Sequence, residues 1–292
     1  MTKEQKKKKK LLKNDKSHNM PRAPSPVSHI LKCFVSQFET KIAPLSLAES
    51  WDNVGILIEC PSAEQLQSLR IIACIDLTNE VISEAIQKKC NMILSYHPIL
   101  FRPVQSLSCV SHLPLLRCIE GGVNVFSPHT ALDAAVGGMN DHLCDVFKGF
   151  EKSRVGVRTD NNTGASIGRV LQLTEMVSLD CIIKALKKAL KVSQVRYASP
   201  HETMEVRVTS IAVCVGSGGS LLAGADADVY LTGEMSHHEI LSATSKGRSV
   251  ILLDHSSSER PFLPELVRRV SELDLVEFVC VSERDIEPIK VA

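Results

Sequence analysis

Two segments in opposite halves of the chain combine an apolar run, a histidine and, four positions after the histidine, an acid. The first apolar run is followed by His129 and Asp133, and the second by His255 and Glu259. Imidazole and carboxylate groups together are ligands that divalent transition metals prefer. A pattern that occurs twice indicates a duplicated half-domain that brings both copies to one place. These residues therefore predict a metal site.

A third histidine, His97, also follows an apolar run. A single histidine at the end of a strand is more often a hydrogen-bonding residue than a ligand, but three such segments favour a shared site. In open α/β sheets, ligands bind beyond the carboxyl ends of the strands, where all three histidines would meet. Two carboxylates gathered there would repel each other, and a divalent ion removes that penalty. A metal would also lower the pKa of bound water towards about 7 and so supply a nucleophile at neutral pH.

Three further features carry weaker signals. Glu234 follows an apolar run and is a candidate general base or a supporting acid. His237 and His238 come next, but adjacent helical residues point in different directions and a capping-box pattern already explains this helix start. We interpret them as residues that line the cleft rather than as ligands. The loop 216–220 is either a phosphate cradle built from backbone N–H groups or a tight turn, and it lacks the lysine of a P-loop.

Composition limits the class of protein. The 292 residues suffice for one large or two ordinary domains, and 44% of them are hydrophobic. Only 4% are aromatic, so the core must be mostly aliphatic, as in parallel-sheet α/β proteins. The ten cysteines are scattered without a C-x-x-C pair, which argues against a zinc ribbon and predicts buried free thiols in a reducing compartment. No apolar run reaches the roughly 20 residues that span a bilayer, and no signal sequence follows the first lysines. A soluble intracellular protein is predicted.

Residues 1–27 are rich in lysine and proline and are predicted to be a disordered tail. Together with Lys3, Lys13 and Lys16, the lysines at 6–10 give the first sixteen residues a positive excess, so the rest of the chain is acidic on balance. A basic surface that binds the phosphate backbone of a nucleic acid is therefore not expected there. The run is either a solubilising tail or a nuclear-import signal. The predicted location is therefore the cytoplasm, with the nucleus as a second candidate.

Strand and helix patterns alternate along both halves of the chain, which predicts βαβ units and mainly parallel sheets covered on both faces. Helices are predicted near 29–40, 78–89, 113–120, from about 139, at 178–190, from 236 and near 261–273. Strands are predicted near 70–77, 92–96, 124–127, 169–173, 206–215, 228–232, 249–254 and 275–281. Loop residues dominate 151–168 and divide the chain into a first α/β lobe (28–150), a linker (151–168) and a second α/β lobe (169–292). We expect an α/β fold of two similar lobes with the metal site in the cleft between them.

Five motifs lie in order along the chain, and the last four contain residues discussed above. They are LAESWDNVG at 47–55, SYHP at 95–98, SPHTALD at 127–133, LTGEMSHH at 231–238 and HSSSER at 255–260. Together they resemble the Nif-three-like proteins, which are also described as GTP cyclohydrolase 1 type 2 homologues. The resemblance covers roughly residues 28–292 and implies a two-lobed α/β fold with a dinuclear metal site. It also implies a homo-oligomer, either a dimer or a hexamer of dimers.

Carried over residue by residue, the resemblance places His97, Asp133, His255 and Glu259 on metal-ligand positions. Glu259 would bridge two ions, and His129 would lie next to the site. The implied cofactor is one or two divalent ions, such as zinc, iron or manganese.

Tyr96 departs from the pattern, because many bacterial members have a histidine pair where this chain has Tyr96 and His97. A neutral phenol is a poor ligand and its unperturbed pKa is about 10, so the second ion is expected to bind weakly or not at all. The tyrosine resembles the eukaryotic branch. The bridge at 151–168 is too short for the domain that some members insert there, which indicates a compact form.

Residues and resemblance leave three functions open, and with them whether the chain is an enzyme. The first is a metal-dependent hydrolase of a nucleotide or related small molecule, by resemblance GTP, in which Glu234 or His129 moves protons. The second is a regulatory scaffold with a structural metal that binds transcription-regulatory proteins, because the family's name comes from interaction with a coactivator. The third is metal storage or delivery.

Overall fold

The computed structural model describes residues 26–159 and 165–290, and these form eleven strands and ten α-helices. The strands are β1 (Gly55–Ile58), β2 (Leu69–Cys74), β3 (Met92–Ser95), β4 (Asn124–Ser127), β5 (Glu151–Thr159), β6 (Ser166–Ser178), β7 (Arg196–Ala198), β8 (Arg207–Ser217), β9 (Val229–Glu234), β10 (Ser249–Leu252) and β11 (Val276–Val281). The helices are α1 (His29–Lys41), α2 (Asn79–Gln87), α3 (Leu113–Glu120), α4 (Thr130–Ala134), α5 (Met139–Cys144), α6 (Leu179–Leu190), α7 (Gly219–Leu222), α8 (His237–Ser245), α9 (His255–Glu259) and α10 (Leu263–Val270).

The strands form two sheets of mixed direction. The first has the order β1–β4–β3–β2–β11, and only the pairing of β1 with β4 is antiparallel. The second has the order β5–β6–β8–β9–β10–β7, and it is parallel only at its centre, where β9 lies between β8 and β10. The prediction of an α/β fold of two similar lobes with mainly parallel sheets is confirmed, since five of the nine strand pairings among the described residues are parallel and parallel strands occupy the middle of both sheets.

Helix start signals in the sequence agree with the structure. The hydroxyl of Thr78 accepts a hydrogen bond from the backbone N–H of Val81 and caps α2. Ser236 and Glu239 form the predicted capping box at the start of α8. Helix α3 has the predicted bounds. These are local hydrogen bonds within one turn, which is why sequence alone could indicate them.

The prediction of a loop over residues 151–168 is wrong. Glu151–Thr159 forms the edge strand β5 and pairs antiparallel with β6, which begins at Ser166. Most of its side chains are partly or fully exposed, and Val155 and Val157 are its only large apolar residues. Such a strand is stabilised by the hydrogen bonds of its neighbour rather than by a buried face, so hydrophobic alternation could not indicate it.

The last strand of the chain joins the first sheet. The prediction assigned residues 275–281 to the second lobe, whereas β11 pairs parallel with β2. After β11, the carboxylate of Asp285 accepts a hydrogen bond from the backbone N–H of Ile75 at 2.6 Å. The two halves therefore interlock, because strand pairing depends on which edge is open and not on sequence distance.

The largest cluster of buried apolar residues contains side chains from both sheets. Within it, the rings of Phe34, Phe38 and Phe126 pack with their centroids 4.8–6.0 Å apart. All ten cysteines are free and six are buried, as predicted. Within the described part of the chain, no helix has the length and apolar composition needed to cross a membrane. The predicted tail lies almost wholly outside the described residues.

Candidate functional site

A cavity of about 520 Å³ lies where strands of both sheets end. It is lined by Glu49, Trp51, Tyr96, His97, Pro98, Phe101, His129, Thr130, Asp133, Arg158, Ile167, Cys214, Val215, Gly216, Ser217, Ser220, Leu221, His255 and Glu259. All four predicted metal ligands are among these residues, together with His129. The two sheets thus bring the strand-end residues to one place.

Three of the predicted ligands are in mutual contact. Oε1 of Glu259 lies 3.5 Å from Nε2 of His97 and 3.3 Å from Nε2 of His255. One ligand atom from each of the three residues lies within 4.8 Å of the others. Two imidazoles and one carboxylate form a donor set typical of divalent transition metals.

The local backbone explains how His255 and Glu259 come to face each other. Both lie on α9 four residues apart, which places them on one face of the helix. Asp254, with φ of 68°, turns the chain sharply from β10 into this helix. Gly216 lies opposite, where an added Cβ would lie 2.6 Å from Oε1 of Glu259 and 3.1 Å from Nε2 of His255. Only glycine leaves room for this approach.

A second carboxylate holds the outer nitrogen of each of these two histidines. Nδ1 of His97 lies 2.9 Å from Oδ1 of Asp76, and Nδ1 of His255 lies 3.0 Å from Oε1 of Glu234. Metal-binding histidines usually have such a partner, which fixes the ring orientation and leaves the other nitrogen for the ion. Glu234, predicted to move protons, is exposed and is not among the residues that line the cavity. Its contact favours an orienting role.

Asp76 was not predicted, although it follows β2 as the histidines follow their strands. The position of Asp76 is in turn stabilised by Asp285, which follows β11, and by Arg260. Asp285 accepts from the backbone N–H of Asp76 at 3.4 Å and from Nη1 of Arg260 at 2.6 Å. Nη2 of Arg260 lies 3.9 Å from the carboxylate of Asp76. The return of β11 to the first sheet therefore supports the orientation of His97.

Contacts within the cluster shift the pKa values of the two histidines and of Glu259. Burial alone would lower the pKa of His97, but its contacts with Asp76 and Glu259 outweigh burial and raise the pKa to about 10. The hydrogen bond to Glu259 is the main reason that the pKa of His255 is raised to about 9. Burial opposes ionisation of Glu259, yet the two histidines lower its pKa.

One carboxylate oxygen of Glu259 makes no hydrogen bond and is free to act as a metal ligand. The residue is 2% exposed, and its Oε2 is buried without a hydrogen-bond partner. A buried carboxylate oxygen without a partner is costly and rare in native proteins. The donor set and this orphaned oxygen fit a divalent cation.

Asp133 has a different environment from Glu259. The hydroxyl of Tyr96 donates a hydrogen bond to its Oδ1 at 2.7 Å. Burial raises the pKa of Asp133 to about 6 and holds the pKa of Tyr96 well above its usual value, so the phenol keeps its proton and remains a donor. Tyr96 therefore acts here as the hydrogen-bond partner of a predicted ligand.

His129 lines the cavity, and its ring is held in place by Asp52, which does not line the cavity. Its Nδ1 lies 2.8 Å from Oδ1 of Asp52, a buried residue that also accepts from the backbone N–H of Thr130 at 3.1 Å. Its ring centroid is 5.5 Å from that of His97. His129 therefore lies beside one of the predicted ligands.

The glycine loop at 216–220 reaches the cavity through Gly216, Ser217 and Ser220. Two of its N–H groups are already used: Gly216 donates to Oγ of Ser258 at 2.8 Å, and Gly218 donates to Oγ1 of Thr232 at 2.9 Å. These bonds favour the tight-turn alternative over a phosphate cradle.

The adjacent pair His237 and His238 does not line the cavity among the described residues. Both side chains are exposed, with ring centroids 5.4 Å apart. The interpretation of this pair as cleft-lining therefore has no support in the structure, because α8 carries its first turn to the protein surface.

Comparison with known proteins agrees with the predicted family. The family model described as Duf34/NIF3 (NGG1p interacting factor 3) matches residues 33–288. NGG1-interacting factor 3 of Saccharomyces cerevisiae is 36% identical over 87% of this chain and 94% of its own length. NIF3-like protein 1 of Homo sapiens is 32% identical over 89% of this chain and 92% of its own length.

Solved structures show the same fold. A Bacillus cereus protein related to NIF3 is similar with a TM-score of 0.77 and 18% identity, over 92% of this chain and 100% of that chain. Reduced HcgD from Methanocaldococcus jannaschii is similar with a TM-score of 0.72 and 24% identity, over 85% and 96%. With the family model and the eukaryotic relatives, the assignment follows: the chain belongs to the Duf34/NIF3 family.

Proposed function

We propose that the chain binds a divalent metal ion through His97, His255 and Glu259 and hydrolyses a nucleotide or a related small molecule. The observation that carries this proposal is the buried Oε2 of Glu259, which has no hydrogen-bond partner. It belongs to a carboxylate between two histidines whose outer nitrogens are held by Asp76 and Glu234. A network with a purely structural role would be expected to satisfy every buried carboxylate oxygen.

The residues divide the work as follows. When bound, a divalent ion supplies Lewis acidity and makes water a nucleophile at neutral pH. His97, His255 and Glu259 bind, while Asp76 and Glu234 orient the two imidazoles.

We assign proton transfer to His129, which lines the cavity. Asp52 holds Nδ1 of His129, which leaves Nε2 as the ring nitrogen that can accept or give a proton. The predicted role of Glu234 as a proton carrier becomes indirect, because Glu234 contacts His255 and not the cavity. His129 is therefore our candidate for general acid–base catalysis.

One ion per chain is the expected stoichiometry. Asp133, the further ligand implied by the family, already accepts the hydroxyl of Tyr96, and the three-residue contact cluster does not include it. Tyr96 occupies the position at which many bacterial members of the family have the histidine that completes a second metal site. A second ion would have to compete with a protonated phenol.

The test combines metal analysis with a substrate screen. The protein purified without chelator is expected to contain a divalent ion, and the metal-loaded form to hydrolyse at least one compound from a nucleotide panel. Glu259→Gln should lose that activity, and Glu80→Gln, on the exposed side of α2, should retain it. Purified protein that neither contains nor takes up a divalent ion would refute the proposal. Binding of metal without any hydrolysis would favour storage or delivery.

A second function, binding of a transcription-regulatory protein, is favoured by the name of the yeast relative, NGG1-interacting factor 3. In that case the metal would stabilise the fold, and Glu259→Gln would abolish any hydrolysis without loss of partner binding.

Deletion of residues 1–27 followed by imaging tests nuclear import. Light scattering tests the predicted dimer or hexamer of dimers.

A further inference from the structure

The mouth of the cavity carries exposed aromatic rings. Trp51 is the only tryptophan of the chain, and Phe101 is the only one of its eight phenylalanines with an exposed side chain. They are 45% and 42% exposed, and both line the cavity. Aromatic rings are the side chains that stabilise a core or an interface most when buried. Two that stay in water beside a candidate active site therefore point to a ligand.

These rings continue into the metal cluster. The centroids of Trp51 and Phe101 are 5.8 Å apart. The ring of His129 lies edge-on to both, at 6.1 Å and 6.3 Å. His129 in turn is 5.5 Å from His97. The mouth is thus separated from the candidate ligands by a single intervening ring.

Both rings are carried on fixed backbone. Asp52, the neighbour of Trp51, is buried and accepts hydrogen bonds from His129 and from Thr130. Nδ2 of Asn53 donates to the carbonyl of Leu100, the neighbour of Phe101, at 2.5 Å. The two segments are therefore tied to the cavity wall and to each other, so a ligand would meet a pre-organised surface at little entropic cost.

The charge at the mouth is already balanced. Arg158 lines the cavity, and its guanidinium donates to the carboxylate of Glu49. This ion pair offsets the charge of Arg158, so the mouth does not present an isolated cation to a phosphate. Recognition at the mouth is therefore based on the flat apolar face of a ring rather than on a phosphate.

We propose that Trp51 and Phe101 form a platform on which a planar heteroaromatic ring of the nucleobase type stacks, with the rest of that molecule extending towards His97 and His255. This inference deepens the proposed function and rests on it for the claim that the stacked molecule is the substrate. Stacking on aromatic side chains tolerates different bases, because every base has a π face. Neutral nucleosides should bind without a phosphate.

The single tryptophan makes the test direct, since all indole fluorescence comes from Trp51. The full-length protein is titrated with adenosine, guanosine, cytidine and uridine, and with ribose as the probe that lacks a ring. At least one nucleoside is expected to quench the fluorescence to saturation, and ribose is expected to leave it unchanged. If no nucleoside binds, or if ribose binds as tightly, the platform is refuted.

Variants assign the binding to the two rings. Calorimetry should show nucleoside affinity reduced about tenfold in Trp51→Leu and in Phe101→Leu, and largely kept in Trp51→Phe. Tyr197→Leu removes an equally exposed ring outside the cavity lining and should bind as the parent does. Circular dichroism verifies that each variant is folded, and unchanged affinity in both leucine variants at the mouth would overturn the inference.

Binding is measured here without turnover, so the two proposals fail separately. A protein that binds nucleosides on Trp51 and hydrolyses nothing would refute the hydrolase and leave the platform. A hydrolase whose KM is unaffected by Phe101→Leu would refute the platform and leave the hydrolase.

Discussion

The two segments with a histidine and an acid four positions later have similar backbones and different side-chain contacts. In each, a strand ends, a non-glycine residue with positive φ turns the chain, and a five-residue helix follows. In the second segment, His255 is the first residue of the helix and faces Glu259 at 3.3 Å. In the first, His129 is itself the turning residue, with φ of 30°.

That shift of one position changes the chemistry. His129 lies before its helix rather than on it, so the four-residue spacing no longer places it on the face of Asp133. Its Nδ1 contacts Asp52 instead, and Asp133 receives the hydroxyl of Tyr96. The same spacing in sequence thus produces a facing pair in one half and two separately held groups in the other. The helical phase, and not the spacing, decides whether the pair can bind one ion.

The largest effect expected from this difference is on metal content. Glu259→Gln keeps the shape of the side chain but removes its charge, and we expect bound metal to fall to about a tenth or less of the parent's. Asp133→Asn, the matched change in the first segment, should retain most of it. Inductively coupled plasma mass spectrometry after dialysis measures both. Equal losses would show that the two halves contribute alike.

Loss of the carboxylate that orients the histidine should reduce metal affinity more in the second segment than in the first. Glu234→Gln loosens His255, and supporting partners of this kind usually change metal affinity by about 10- to 100-fold. Because Glu234 is half exposed, the lower end of that range is expected. Asp52→Asn, which loosens His129, should change affinity by no more than about twofold. Competition with a chromogenic chelator gives the constants, and an equal loss in both would make His129 a ligand.

The interlock of the halves can be tested through pH. Burial alone would raise the pKa of Glu84 on α2, but hydrogen bonds from Lys88, Ser282 and the backbone N–H of Glu283 lower it to about 2. Because the folded-state pKa lies below the ordinary value of about 4.5, ionised Glu84 stabilises the fold above that pH, and the contribution disappears as pH falls towards 2. It amounts to at most about 3 kcal/mol.

Denaturant unfolding at a series of pH values measures this contribution. The difference between the parent and Glu84→Gln should be largest near neutral pH and shrink below about pH 4.5. Glu80→Gln, on the exposed side of the same helix, is the control. A constant difference across the series would contradict the proposed role of Glu84 in holding the residues after β11 to the first sheet.

The smallest effect concerns the hydroxyl that distinguishes the first half. Tyr96→Phe removes the hydrogen bond to the Asp133 carboxylate and should cost about 2 kcal/mol, as expected for a bond to a charged group. Tyr230→Phe removes a bond to the neutral carbonyl of Ala225 and should cost about 1 kcal/mol. Thermal and denaturant unfolding compare them. A larger loss in Tyr230→Phe would contradict the assignment of Tyr96 as the partner of a carboxylate.

Much of the fold was predictable because its signals are local. Capping residues such as Thr78 and Ser236 bond within their own first turn, and buried strands such as β3 and β10 each contain three consecutive apolar residues. Edge strands such as β5 and β7 were missed, because they are held by hydrogen bonds to neighbours and have few apolar residues. The pairing of β11 with β2 was missed because no local pattern records which sheet edge is open.

The sequence alone determined the chemistry that is available: histidines and acids where strands end, in two copies, and the family motifs that contain them. Only the tertiary structure decided which of these groups meet. It gathered His97, His255 and Glu259 against Gly216, placed Asp76 behind His97, and turned Tyr96 towards Asp133. The physical reason is that residue types and spacing fix which interactions a side chain can make, whereas distances between side chains from different strands depend on sheet order and on the phase of each short helix.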